Sequence, residues 1–414
     1  MKKALIIAHD FPPLNSIGAQ RPYSWYKYFQ ENNIYPVVIA RNSKMTDNKD
    51  IHDISDLGEI YLINCENHFR EQVERIPLIG RFLRKTMTFF EYLLKWKNLK
   101  FDFTKQLYIS AHNHLKNNPF DVIIATGEPW ILFKYARNLS DEFNIPWIAD
   151  YRDGWNTNVK LEYSYFSRFL SKFYFLNLEK RTVNSATLLS FSDPCEAIKM
   201  DKITTVKKII TPLNGYDNEL ISGLSESHAP NDILTISYAG TIYDFQDLES
   251  FLIGLDNFIK KSGFTKVRVN LFGSKNNQTT INRIKEVNND LFEYIHLTSK
   301  IPQKEVLNHL NNSHVLLLLS SNKHVALPAK IFEYIGLERL VLVSTNDYSD
   351  VERFVNETNS GMICADSDDV YNSLVTIYDK FKNDSNFKVS IPDKEKYSRK
   401  HQAKVLCDEI KNIV

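Results

Sequence analysis

The sequence predicts an α/β protein with two parallel-sheet domains, and three observations carry that expectation. A chain of 414 residues exceeds one ordinary hydrophobic core and fits two domains of roughly 200 residues each. Short aliphatic runs alternate with helical patterns, as parallel sheets built from βα units require. The alternation occurs in two series, separated by the polar stretch Ser222 to Asn231, which holds Gly223, His228 and Pro230 and reads as a hinge.

The first series opens with Met1-Lys2-Lys3 and the apolar run Ala4 to Ala8. That start resembles a secretion signal, but the run stops at His9-Asp10, short of the roughly 7 residues a signal core needs, and so reads as a buried first strand. Further strands are expected at Pro36 to Ala40, Asp121 to Thr126, Trp147 to Tyr151 and Ala186 to Ser190. Leu132, Ala136, Leu139 and Phe143 recur at helical spacing between two of them and would cover the sheet. The stretch 76–100 breaks this regularity. Its apolar stripe of Ile79, Phe82, Leu83, Phe90, Leu93 and Leu94 runs beside Arg81, Arg84, Lys85, Lys95, Lys97 and Lys100, so it reads either as a helix lying on an anionic membrane surface or as one packed on its own domain. In the second series the strands are Ile233 to Ala239, Val267 to Phe272, His314 to Leu319, Leu340 to Ser344 and Gly361 to Cys364. The tail, Lys394 to Val414, is helical and charged.

Composition narrows the classes. Hydrophobic residues make up 43% of the chain and charged ones 24%, a soluble globular balance, and the net charge of +1 gives no general pull toward nucleic acid. No apolar stretch approaches the roughly 20 residues of a membrane span. Cys65, Cys195, Cys364 and Cys407 lack the paired spacing of a zinc site or disulfide framework, so a reducing cytoplasm is the expected compartment.

The most informative segment is Leu327-Pro328-Ala329-Lys330-Ile331-Phe332-Glu333-Tyr334-Ile335-Gly336. Pro328 suits a first helical position, so the loop Lys323 to Leu327 leaves backbone N–H groups at the positive end of the helix dipole, where a diphosphate can sit. Lys330 and Glu333 share a helix face, which directs a cation for phosphate and a carboxylate for sugar hydroxyls the same way. The same spacing also describes an ordinary amphipathic helix with a surface ion pair. Asp150-Tyr151-Arg152-Asp153 ends an expected strand, and loops at the carboxyl ends of parallel strands face the ligand crevice. Asp153 or Asp150 would orient an acceptor hydroxyl or take its proton, with Arg152 near phosphates or holding the acids. The alternative is a fixed ion-pair network. His9 closes the first strand and is open to either role. No Asp-x-Asp ends an expected strand, and Asp366-Ser367-Asp368-Asp369 reads as solvated loop acids, so no metal is expected.

Four segments in order along the chain carry a resemblance. They are Ile6-Ile7-Ala8-His9-Asp10-Phe11-Pro12-Pro13 with Gly18 and Arg21, Ile145-Pro146-Trp147 through Trp155, Ser237-Tyr238-Ala239-Gly240-Thr241-Ile242-Tyr243, and the lysine and glutamate segment above. Together they resemble the retaining glycosyltransferases of family four, in the variant common among capsule and exopolysaccharide enzymes. The resemblance implies two facing Rossmann-like domains (the GT-B arrangement), with 1–221 as acceptor domain, 222–393 as donor domain and 394–414 crossing back onto the first. It implies that Lys330 contacts donor phosphates, Glu333 the ribose, Gly240 and Thr241 the diphosphate turn, and Gly18 a close approach from the first domain. Asn214-Gly215-Tyr216-Asp217 resembles the family's turn at the cleft.

The chain departs from the family in two places. Val325 stands where most members carry a first glutamate, and Thr241 with Gln246 or Asp247 stand where many carry an arginine and a lysine, which leaves Lys275 and Lys323 as candidate cations. The expected activity is transfer, with retention and without metal or cofactor, from a UDP- or GDP-linked sugar to a glycan or lipid-diphosphate acceptor at the inner face of the membrane. A nucleotide-sugar epimerase and a non-catalytic nucleotide-binding subunit are the alternatives.

Overall fold

The computed structural model describes residues 1–14, 16–42, 57–65, 96, 102, 104–156, 165–226, 229, 232–321 and 327–414, with backbone only for 17 and 165–173. The expected basic helix at 76–100 lies outside these residues except for Trp96, as do Lys323 and Val325. Among the described residues no helix is long and apolar enough to cross a membrane.

The chain divides into two compact units, Met1–Pro212 with Ala403–Val414, and Leu213–Gln402. In the first unit, strands β1 (Lys2–Ala8), β2 (Ile34–Arg41), β3 (Glu59–Ile63), β4 (Val122–Gly127), β5 (Trp147–Tyr151), β6 (Leu188–Phe191) and β7 (Ile209–Ile210) form one parallel sheet in the order β3-β2-β1-β4-β5-β6-β7. Central β1 is buried on both faces, as an all-parallel sheet demands. Leu5 and Ile7 enter one core with Leu132, Ala136 and Leu139 of the helix Ile131–Phe143, while Ala4, Ile6 and Ala8 enter the other. The second core is closed by the helix Ile17–Phe29 and by Ala403, Leu406, Cys407 and Ile410, whose spacing places them on one face of the C-terminal helix Arg399–Ile413. Ala403–Val414 therefore belong to the first unit, while the tail's earlier residues, through Gln402, belong to the second.

The second unit repeats the plan with β8 (Leu234–Ala239), β9 (Val267–Phe272), β10 (Ile295–Thr298), β11 (Val315–Leu318), β12 (Leu340–Val343) and β13 (Gly361–Ile363), all parallel in the order β10-β9-β8-β11-β12-β13. In each sheet the winding reverses beside the first strand, between β1 and β4 and between β8 and β11. Ligands of such sheets bind outside the carboxyl ends of the strands at that switch point. All ten expected strands are present. The others, β3, β7 and β10, escape pattern reading because they are edge strands that are short or have half-exposed faces, so they lack an aliphatic run.

The division at Pro212/Leu213 lies ahead of the hinge expected at 222–231. The residues between are tied into the second unit. Tyr216 N–H donates to the Tyr397 carbonyl at 3.0 Å, Arg399 N–H donates to the Tyr216 carbonyl at 2.8 Å, and the Tyr216 ring packs on Gly336, where a Cβ would come within 2.9 Å of it. That packing partner is remote in sequence, so composition around 222–231 could not reveal it.

Candidate functional site

In the second unit the helix Lys330–Leu337 docks its apolar face, Ile331, Phe332, Tyr334 and Ile335, beside Leu316, Leu318, Val341 and Val343. Tyr334 Oη donates to the Leu317 carbonyl at 3.2 Å. Docking on that face leaves the first turn at the carboxyl end of the sheet. Lys330 Nζ lies 3.8 Å from the centroid of the Tyr238 ring, and a Cβ on Gly240 would sit 3.2 Å from it. Gly240 has φ +121, a conformation open to glycine, so that position is constrained twice. Among the described residues the Lys330 ammonium has no carboxylate or hydrogen-bond acceptor. Burial pulls it down to about 7, with Glu333 acting the other way. An ammonium placed on an aromatic face, with no ion pair of its own among the described residues, is suited to receive an anion.

Glu333, one turn on, accepts from Gln303 Nε2 at 3.0 Å. Burial pushes its carboxyl up, against the opposing pull of Arg399, the Gln303 hydrogen bond and Lys330. Gly273, ending β9, lies beside Gly240, its Cβ position 3.5 Å from the Gly240 carbonyl oxygen and 3.7 Å from Lys300 Cγ. Lys275 follows on the same loop, exposed, with its N–H on the Thr298 carbonyl at 3.0 Å. Thr241 is exposed next to Gly240, and its carbonyl accepts from Tyr238 Oη at 3.0 Å. Gln246 and Asp247 have other work. Gln246 Nε2 donates to the Leu319 carbonyl at 2.8 Å, and the Asp247 carboxylate accepts from Ser250 and from Thr345 Oγ1 at 2.7 Å.

The Asn214 turn belongs to the same unit. Gly215 has φ +67 and a Cβ there would lie 2.8 Å from Arg399 N, while Asp217 caps the helix Asn218–Ser222 and pairs with Arg399 Nη1 at 3.3 Å. Arg399 and Asp217 are both close enough to act on Glu333. The turn thus sits against the helix carrying Lys330 and Glu333. Asp366 caps the helix Ser367–Asn383, and Asp369 accepts from Ala365 N–H at 2.9 Å, so these acids serve local backbone.

In the first unit the expected acids separate. Asp150 is fully buried and accepts from Arg21 Nη2 at 2.7 Å, Ser190 Oγ at 2.7 Å and Trp25 Nε1 at 3.1 Å. Arg21 Nη1 goes on to donate to the Pro212 carbonyl at 2.8 Å. This is the fixed ion-pair arrangement, and it leaves Asp150 no reach to a substrate. Asp153 is partly exposed, 3.5 Å from Arg152 Nε, and Arg152 Nη1 lies 3.4 Å from Asp10 Oδ2. Asp10 in turn holds His9 Nδ1 at 2.8 Å. Burial pushes the Asp10 carboxyl up, but the His9 hydrogen bond and the charges of His9, Arg152 and Arg41 outweigh it and hold the group below its usual range. Gly18 explains itself here. A Cβ would fall 1.8 Å from Arg152 Nη1 and 2.9 Å from Asp10 Oδ2, so only glycine in the first turn of the helix Ile17–Phe29 lets this pair approach.

No protein-family model and no curated protein matches the chain. Among solved structures it is similar to sucrose-phosphate synthase from Thermosynechococcus elongatus, at 12% identity and TM-score 0.65, covering 100% of this chain and 99% of that one. It is similar to a lipopolysaccharide outer core galactosyltransferase at 12% identity and TM-score 0.61, with 100% of both chains covered. A UDP-N-acetylglucosamine 2-epimerase follows at 13% identity and TM-score 0.54, over 99% of this chain and 95% of that one. The fold is GT-B. Full-length coverage means that both units, including the returning C-terminal helix, belong to that architecture, while identities this low speak to fold alone.

Within this GT-B chain, Gly240, Lys330, Glu333 and the Asn214 turn assemble in one unit, and Gly18, Arg152 and Asp153 in the other. Three residues join these surroundings that the sequence did not place there. Gln303, Lys300 and Arg399 reach the Glu333 and Gly240 surroundings from other elements, and only the strand order brings them there.

Proposed function

We propose that the protein is a retaining, metal-independent glycosyltransferase that moves a sugar from a UDP- or GDP-linked donor to a glycan or lipid-diphosphate-linked acceptor in surface polysaccharide or glycan assembly. The observation that carries this reading is the Lys330 ammonium, half-buried on the Tyr238 ring and against Gly240 at the end of β8, with no ion pair or hydrogen bond among the described residues. A donor diphosphate supplies the missing charge, and as the bond from the anomeric carbon to the leaving oxygen breaks, the growing negative charge falls on a group already positioned for it. Glu333, steadied by Gln303, accepts from the ribose hydroxyls. In the first unit Asp153, held by Arg152 Nε at 3.5 Å, is the group assigned to the acceptor hydroxyl. The fold's other occupants include an epimerase, so a second reading is release of an epimerised sugar, which would show no dependence on an acceptor.

Calorimetric titration with uridine, guanosine, adenosine and thymidine diphosphates and their sugars tests the proposal. One base should bind at micromolar level, unaffected by chelator, and the heat should vanish in Glu333→Ala. Binding of none of them would remove the reading. Asp153→Asn should lower turnover about 100-fold while donor affinity stays within about twofold, because it acts on the acceptor hydroxyl alone. Equal loss of donor affinity would instead assign Asp153 to the donor.

A further inference from the structure

The loop from Thr241 to Gln246, which leaves the Gly240 turn, is held by hydrogen bonds at Thr241, Ile242, Tyr243 and Gln246 yet presents two large aromatic rings to solvent. Asn277 Nδ2 donates to the Ile242 carbonyl at 3.1 Å, and Gln246 Oε1 accepts from Tyr243 N–H at 3.0 Å. Arg283, paired with Glu249, donates to the Gln246 carbonyl and to the Tyr243 carbonyl. Against this fixed backbone Tyr243 is 54% and Phe245 47% exposed. Their rings lie parallel, 5.5 Å between centroids and 10° between planes. Asp244, between them in sequence, is exposed as well and brings a carboxylate to the loop.

We propose that Tyr243, Asp244 and Phe245 form a platform for a pyranose ring. An aromatic face carries partial negative charge, and the C–H face of a pyranose offers partial positive charge and apolar area of matching size. A carboxylate on the same loop accepts from hydroxyls, so a ligand with an apolar face and a polar rim suits a stacked aromatic pair with an acid next to it in the chain. The exposed acid Asp244 disfavours an anionic membrane, which attracts cations. Because the loop is pinned, little is lost in ordering it on binding. The inference deepens the transferase reading by naming where that site holds sugar.

The test uses the full-length protein and ligand-observed saturation transfer, with methyl glucopyranoside, galactopyranoside and N-acetylglucosaminide as acceptor-like probes and UDP- and GDP-sugars against the bare diphosphates as donor probes. Irradiating aromatic protons should transfer saturation to ring C–H protons of a pyranose in the wild type. Tyr243→Ala/Phe245→Ala should lower that affinity about tenfold or more, leaving nucleoside diphosphate affinity and the melting temperature unchanged, since both rings sit outside the core. Asp244→Asn should give a smaller loss with the stacking signal retained. Loss confined to the methyl pyranosides assigns the platform to the acceptor, and loss of the extra affinity of nucleotide-sugar over bare diphosphate assigns it to the donor's sugar. Unchanged binding in the double variant, or no transfer to any pyranose in the wild type, overturns the platform. Failure of the wild type to bind any nucleoside diphosphate overturns the transferase reading instead.

Discussion

Replacing Lys330 with methionine is expected to lower donor affinity and turnover together by at least about 100-fold, because it removes the cation facing the diphosphate while keeping the packed stem. The pH dependence is more diagnostic than the loss itself. Burial pulls the Lys330 ammonium down to about 7 in the free protein, so above that pH much of it is neutral. A bound diphosphate favours the charged form and must draw a proton on. Donor affinity should therefore be greatest below about pH 7 and fall as pH rises above it. Calorimetry at pH 8 in two buffers of different ionisation heat should show close to one proton taken up, and none in Lys330→Met. The stability sign is the reverse of a salt-bridged lysine. The unfolded chain keeps this proton up to 10.5 and the folded one only to about 7, so the wild type alone should gain stability across that window as pH rises. Equal proton uptake in the variant would mean that another group answers the diphosphate.

The largest effect on stability is expected at Asp150. Asp150→Ala leaves Arg21 buried without its counter-charge and should cost about 3–5 kcal/mol. Arg21→Met should cost a similar amount by stranding the carboxylate. A double variant, Asp150→Leu with Arg21→Met, should recover a large part of the loss, since a buried ion pair is worth little more than an apolar pair of similar shape. All five tryptophans, Trp25, Trp96, Trp130, Trp147 and Trp155, lie in the first unit, so urea unfolding followed by their fluorescence reports this unit selectively. A purely catalytic Asp150 would instead lose turnover with an unchanged midpoint. Asp153→Asn is the contrast, partly exposed at 31% and expected to leave the midpoint in place.

These two carboxylates show how far a sequence can be read. Asp150 and Asp153 stand three residues apart in one short motif, and no local pattern separates them. The strand does so physically. Asp150 still belongs to β5 and points into the layer under the helix Ile17–Phe29, whereas Asp153 lies past the strand end where the backbone turns outward. Gly18 is a second case. Its place in the motif was visible, but the reason for glycine is the guanidinium of Arg152, distant in sequence and lodged where a Cβ would be.

By itself the sequence determined the two βα series, all ten aliphatic strands and the pairing of Lys330 with Glu333 on one helix, because hydrophobic period and helical spacing are local properties. The tertiary structure alone decided that Lys330 lies on the Tyr238 ring with no ion pair among the described residues, that Gln303 and Arg399 address Glu333, that Asp150 is spent on Arg21, and that residues 213–222 join the second unit. Each of these depends on which distant segments the parallel strand order brings together, and on how deeply they are taken out of water.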